Sequence, residues 1–126
     1  MRDDLREARS ILDDAAKGLA KIDDIRRDFI GDYHNVDKRV WLGEQGKVLD
    51  ELRSWVAIRF GRAHELTSTF DECTEAALEL FAATRDKDSI DPQRVVLAND
   101  DFERWTAAFV DAATARAGVE LDARAP

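Results

Sequence analysis

The chain has 126 residues, of which 44% are hydrophobic and 37% are charged, and its formal net charge is −8. The hydrophobic fraction is too high for a disordered chain, and the length predicts a single domain. The acidity argues against a DNA-binding surface, which needs clustered lysine and arginine, and it suits a basic protein partner.

Turn-forming residues are scarce, with only two prolines and six glycines, so we expect few, long elements and not a β-domain. Cys73 is the single cysteine, which excludes an intramolecular disulfide and a thiolate metal cage. No apolar stretch approaches the roughly 18 residues of a membrane span. We therefore expect a soluble, cytoplasmic protein.

The first helix is predicted from Asp3 to Ile30, because apolar residues return there at alternating steps of four and three. This stripe consists of Leu5, Ala8, Leu12, Ala15, Leu19, Ile22 and Phe29. Gly31 and Asp32 end the helix.

A second helical stripe follows and reaches Leu66. It consists of Trp41, Val48, Leu52, Trp55, Arg59, Ala63 and Leu66, with Val56 and Phe60 widening it. Asn35 is a suitable N-cap, but Gly43 and Gly46 weaken the first turns. The helix is therefore predicted to start either at Asn35 or near Glu44.

A third helix is predicted over Phe70–Arg85. Thr69 and Glu72 form the T-x-x-E pattern of a capping box directly at its start. The apolar residues of this helix continue the periodic pattern of the second helix without a shift. The alternative is therefore that the second and third helices form one unbroken helix.

The fourth helix is predicted to start at Asp91-Pro92, with the aspartate as N-cap and the proline at the first helical position. Its stripe consists of Val95, Ala98, Phe102, Trp105, Phe109, Ala112 and Arg116. Asn99-Asp100-Asp101 offers a second cap that would split this helix, and Gly118 is expected to end it.

These four amphipathic helices, joined by short connections, predict an all-α fold, an antiparallel bundle of about four helices. Residues 1–118 form its single domain, and we expect residues 119–126 to be a disordered tail. Trp55 and Trp105 lie in the middle of their stripes and are predicted core residues.

No metal site or cofactor is predicted. Helical bundles that bind metals through carboxylates use a Glu-x-x-His motif. In this chain glycine stands where that motif needs glutamate, since Gly31 precedes His34 and Gly61 precedes His64 by three residues. Cys73 lies on an apolar stripe, so we expect a buried, inert thiol.

One segment, Arg59-Phe-Gly-Arg-Ala-His64, resembles the R-x4-6-H motif of HEPN domains, small helical bundles that often cut RNA as dimers. The resemblance implies that Arg59 and His64 act together on the scissile phosphate. On a straight helix the two side chains point about 140° apart. They would converge only if Gly61 breaks the helix or a second subunit completes the site. The alternative is that His64 faces solvent without a role.

Several residues are candidates for a partner-binding surface. Arg26 and Arg59 stand where an apolar residue is expected, so each either extends its head to the rim of the core or belongs to a polar layer or partner surface. Tyr33, His34 and Trp41 lie near the first connection, where aromatic side chains suit an interface. For Trp41 the alternative is a place at the end of the core.

The leading functional prediction is a non-enzymatic acidic protein that binds a protein partner, of the immunity, antitoxin, inhibitor or small-subunit type. The alternative is a HEPN-like ribonuclease acting through Arg59 and His64, in a dimer. RNA is expected as a partner only under this alternative. Self-association into a homodimer through a spare apolar stripe is a further option.

Overall fold

Four helices make up the described part of the chain. The computed structural model describes the backbone of residues 2–30, 36–86 and 88–122, and the side chains of residues 6–27, 39–86 and 88–116. The helices are α1 (Arg2–Ile30), α2 (Val36–Phe60), α3 (Glu65–Ala83) and α4 (Pro92–Asp122). Within these ranges there is no β-strand, and no helix is long and apolar enough to cross a membrane. The predicted all-α bundle of four helices is confirmed.

Each helix packs antiparallel to the one before it, because the start of one helix contacts the end of the next. The hairpin of α3 and α4 forms one side of the bundle, and α1 and α2 form the other. The contact between α1 and α4, which closes the bundle, is much smaller than the other three contacts.

The core runs along the axis of the bundle and draws on all four helices. Its largest fully buried side chains are Leu19, Ile22, Leu42, Leu49, Val56, Leu66, Phe70, Leu80, Val95, Phe102 and Phe109. The rings of Phe70 and Phe109 pack at 5.2 Å between centroids, in the tilted geometry that aromatic pairs favour. Trp105 packs against this core and is partly buried.

The break between α2 and α3 lies at residues 61–64, earlier than predicted. Gly61 has a φ of +93°, a left-handed conformation that ends α2 and favours glycine. His64 then caps α3, and Thr69 lies inside that helix, where its hydroxyl donates a hydrogen bond to the Glu65 carbonyl at 2.7 Å. The predicted start at Phe70 is therefore wrong, and so is the alternative of one unbroken helix.

The starts of α2 and α4 agree with the predictions from the sequence, whereas the end of α4 does not. Since α2 begins at Val36, the earlier of its two predicted starts is confirmed, although Asn35 itself lies outside the described residues. At the start of α4, the Asp91 carboxylate accepts a hydrogen bond from the Gln93 amide at 3.0 Å. The helix is continuous to Asp122, so the predicted end at Gly118 is wrong. Residues 123–126 of the predicted tail lie outside the described residues.

The orientation of α2 differs from the prediction by one residue. The buried line of this helix is Leu42, Leu49 and Val56, whereas Trp55 is 56% exposed. Trp41 is 51% exposed, so it does not lie in the core either. The prediction that Trp55 is a core residue is wrong because α2 is apolar on two adjacent edges and only one of them faces inward.

Replacing Gly61 with alanine should lower the free energy of unfolding by about 1 kcal/mol, because a Cβ is strained at positive φ even though the space around it is open. Gly61→Asn should lose less, since asparagine tolerates this conformation. Urea unfolding of the three proteins measures the difference. Equal stability of Gly61→Ala and the parent would contradict this account of the break.

Candidate functional site

The two halves of the bundle differ in charge. Helix α3 carries five carboxylates and no lysine or arginine, and α4 carries six carboxylates and three arginines, so this hairpin has a net charge of −8. Helices α1 and α2 together carry twelve acidic and twelve basic residues. The hairpin of α3 and α4 therefore carries the whole net charge of the chain.

A groove of about 400 Å³ lies on this acidic hairpin, between α3 and α4. Its lining includes four carboxylates, from Glu72, Glu75, Glu79 and Asp101. The indole of Trp105 and small alanine side chains supply an apolar part of the lining. We call this feature the acidic groove.

The carboxylates of the acidic groove already bind guanidinium groups of this chain. Arg53 donates a hydrogen bond to Glu75 at 2.6 Å, and this bond raises the pKa of Arg53 above its ordinary value. Arg94 pairs with Glu79 in the same way. These pairs are partly exposed, so solvent screens their attraction and they contribute little to stability. A competing cation can therefore displace them at low cost.

A second cluster surrounds Phe60, where α2, α3 and α4 meet. The guanidinium carbon of Arg116 lies 4.9 Å from the centre of the Phe60 ring, and that of Arg59 lies 5.8 Å from it. The ring of His64 lies 5.6 Å from the same ring, and its Nε2 lies 3.2 Å from Nη1 of Arg116. The break at Gly61 thus brings Arg59 and His64 to one aromatic ring. The sequence did not point to Arg116 as the direct neighbour of His64.

The cap of α3 determines what His64 can do chemically. Its Nδ1 accepts a hydrogen bond from the Leu66 amide at 3.0 Å, so the neutral ring carries its proton on Nε2. In this tautomer Nε2 donates a hydrogen bond, and it does not act as a base. With the guanidinium of Arg116 beside it, the cluster suits an anionic oxygen.

Arg26, one of the predicted partner-binding residues, belongs to a polar network between α1 and α4. It is 5% exposed and donates hydrogen bonds to Asp23 and Asn99, each at 2.8 Å. It also pairs with Glu103 at 2.9 Å and lies over the ring of Phe102. Arg26 thus forms a polar layer at the contact that closes the bundle. Its role in partner binding stays a prediction.

The remaining predicted interface residues differ in position. Tyr33 and His34 lie outside the described residues. Trp41 lies exposed in a shallow groove between α1 and α2, beside Ile25 and Lys21. The exposure of Trp41 excludes the alternative of a place at the end of the core, and its role in an interface stays a prediction.

Cys73 is buried, and burial raises the pKa of its thiol to about 12. The thiol therefore stays protonated and unreactive at neutral pH. Among the described residues, no group of three or more His, Cys, Asp or Glu side chains is placed to hold a metal ion.

Comparison with protein-family models, curated proteins and solved structures found no match for this chain.

Replacing Arg26 with methionine should lower the free energy of unfolding by about 2 kcal/mol, because hydrogen bonds to a charged group are lost while the carboxylates still reach water. Arg27→Met is the matched control. Arg27 is exposed and pairs only weakly with Asp23, so this change should cost less than about 0.5 kcal/mol. Urea unfolding compares the two, and similar losses would show that the network with α4 contributes little.

Proposed function

We propose that this protein is a non-enzymatic interaction protein that binds a basic segment of a protein partner in the acidic groove. The observation that carries the proposal is the position of this groove. Four carboxylates surround a partly buried tryptophan on the hairpin that holds the entire net charge of −8.

Two physical effects support a basic protein segment as the ligand. The field of the acidic hairpin attracts a positively charged partner and raises the rate of encounter. Within the groove, carboxylates accept paired hydrogen bonds from a guanidinium, and the Trp105 indole offers a face on which it stacks. The Arg104 guanidinium of this chain already lies 5.2 Å from the centre of that ring. An immunity protein, an antitoxin, an inhibitor or a small subunit would all use such a surface.

The test compares two variants with the same change in charge. In the first, Glu72→Gln, Glu79→Gln and Asp101→Asn neutralise the groove. In the control, Asp13→Asn, Asp14→Asn and Glu51→Gln neutralise three exposed carboxylates of α1 and α2. In affinity capture from cell extract, a specific partner should bind the parent and the control, and its affinity for the groove variant should fall at least about tenfold.

Binding to the groove should also weaken as salt concentration rises, since the attraction is between charges. Equal retention of the partner by both variants would contradict the proposal. Equal loss from both would mean that the partner responds to net charge alone. Turnover by the purified protein would contradict the non-enzymatic part of the proposal.

A second candidate function is a HEPN-like ribonuclease that works as a dimer. The cluster around Phe60 supports it, because Arg59, His64 and Arg116 place two guanidinium groups and an imidazole at one corner of an otherwise acidic molecule. The guanidinium groups would neutralise a phosphate, and Nε2 of His64 would donate a hydrogen bond to one of its oxygens.

The ribonuclease candidate predicts that the purified protein cleaves RNA and that Arg59→Ala and His64→Asn do not. Asparagine is a good N-cap, so His64→Asn keeps the cap of α3 and removes only the imidazole. Loss of a hydrogen-bond donor to the charge that develops on the phosphate should slow cleavage by about 10²–10³-fold. Arg62→Ala, a change at an exposed neighbour, is the control and should cleave normally. An inactive parent, or full activity of His64→Asn, would rule out this candidate.

A further inference from the structure

The outer side of α1 and α2 carries an exposed apolar line that the bundle does not use. Trp41, Val48 and Trp55 follow one another at intervals of seven residues, and each is more than two-fifths exposed. Trp41 shares a shallow groove with Ile25, and Trp55 shares another with Ile11. We call these five residues the tryptophan face.

We infer that the tryptophan face binds a second copy of this chain, in a homodimer with a two-fold axis near Val48. In a two-fold interface the same patch of each copy meets itself, and an axis perpendicular to α2 makes the two copies of the helix antiparallel. Trp41 of one copy then packs beside Trp55 of the other, and Val48 meets its own counterpart. Tryptophan is enriched, with tyrosine and arginine, among the interface residues that contribute most of the binding energy.

The charges on this side of the molecule favour a second copy over other occupants. Helices α1 and α2 are neutral overall, whereas α3 and α4 carry the charge of −8. Two acidic molecules repel each other least when their neutral sides meet and their acidic hairpins lie on the outside. The acidic groove then stays open on both copies.

The charges beside the two tryptophans are also complementary under this symmetry. Arg6 and Glu7 line the groove at Trp55, and Lys21 and Asp24 line the groove at Trp41. The two-fold axis places the first groove of one copy against the second groove of the other. Glu7 then faces Lys21, and Arg6 faces Asp24. A parallel two-fold arrangement would not form these pairs.

The available area is close to what a stable dimer needs. Helix α2 has 25 residues and is therefore about 37 Å long. Two helices side by side are about 20 Å wide, which gives a face of about 700 Å². A standard protein interface buries about 800 Å² on each partner. Burial of two tryptophans at its ends would supply most of the apolar contact.

Sedimentation equilibrium of the full chain tests the dimer. Across the micromolar range we expect a species of twice the 14.2 kDa of one chain. Trp41→Asp and Trp55→Asp should each weaken association at least about tenfold. Ile58→Asp is the control, because Ile58 is 76% exposed on the same helix but lies toward α3. A parent that stays monomeric, or equal effects of all three changes, would overturn the inference.

A charge exchange tests the orientation. Glu7→Lys and Lys21→Glu should each weaken the dimer, and the double variant should restore it. The two residues are 14 positions apart on α1, about 21 Å, so no contact within one copy explains the rescue. A double variant weaker than both single variants would exclude this antiparallel arrangement.

This inference is independent of the proposed function. The variant with a neutralised acidic groove should remain a dimer. The tryptophan variants, in turn, should still bind a partner that uses the groove. Loss of dimerisation in the groove variant would place the interface on α3 and α4 and overturn the inference.

Discussion

The rotation of α2 about its own axis determines most other features of this molecule. Helix α2 must pack against both α1 and α3, and it approaches them through small residues. A Cβ on Gly43 would lie 2.9 Å from the Phe81 ring of α3, and a Cβ on Gly18 of α1 would lie 2.8 Å from the Leu49 side chain. These two close approaches fix the rotation of α2, because the side of the helix that faces the core must lie between its contacts with α1 and α3. Leu42, Leu49 and Val56 therefore enter the core, and the neighbouring line of Trp41, Val48 and Trp55 stays outside.

Two surfaces of opposite character result from this arrangement. One side of the bundle is neutral and carries exposed tryptophans, and the other is strongly acidic and carries a groove. Because they lie on different hairpins, one surface can be occupied while the other stays free. A homodimer that joins the neutral sides would present two acidic grooves outward. Two grooves on one particle increase the affinity for a partner with more than one basic segment, because the second contact is made within the same complex.

The candidate sites show why sequence reasoning found only part of them. Arg59 and His64 were found because they are close in sequence. Arg116, which contacts His64, is 52 positions away and on another helix. The acidic groove was missed for the same reason, since Glu72 and Trp105 come from different helices. Spacing along one helix predicts which side chains share a face, but it contains no information about which face of a second helix lies opposite.

The amino-acid sequence by itself determined the class of fold, the number of helices, the start of α4 at Pro92 and the acidity of the chain. These depend on local hydrogen bonding and on the recurrence of apolar residues every three or four positions. The tertiary structure alone decided the break at Gly61, the inward edge of α2 and the partners of Arg26. Each of these features depends on contacts between residues that are far apart in the sequence. Two apolar lines one residue apart on α2 are equally suited to burial, and only close packing against α1 and α3 selects one of them.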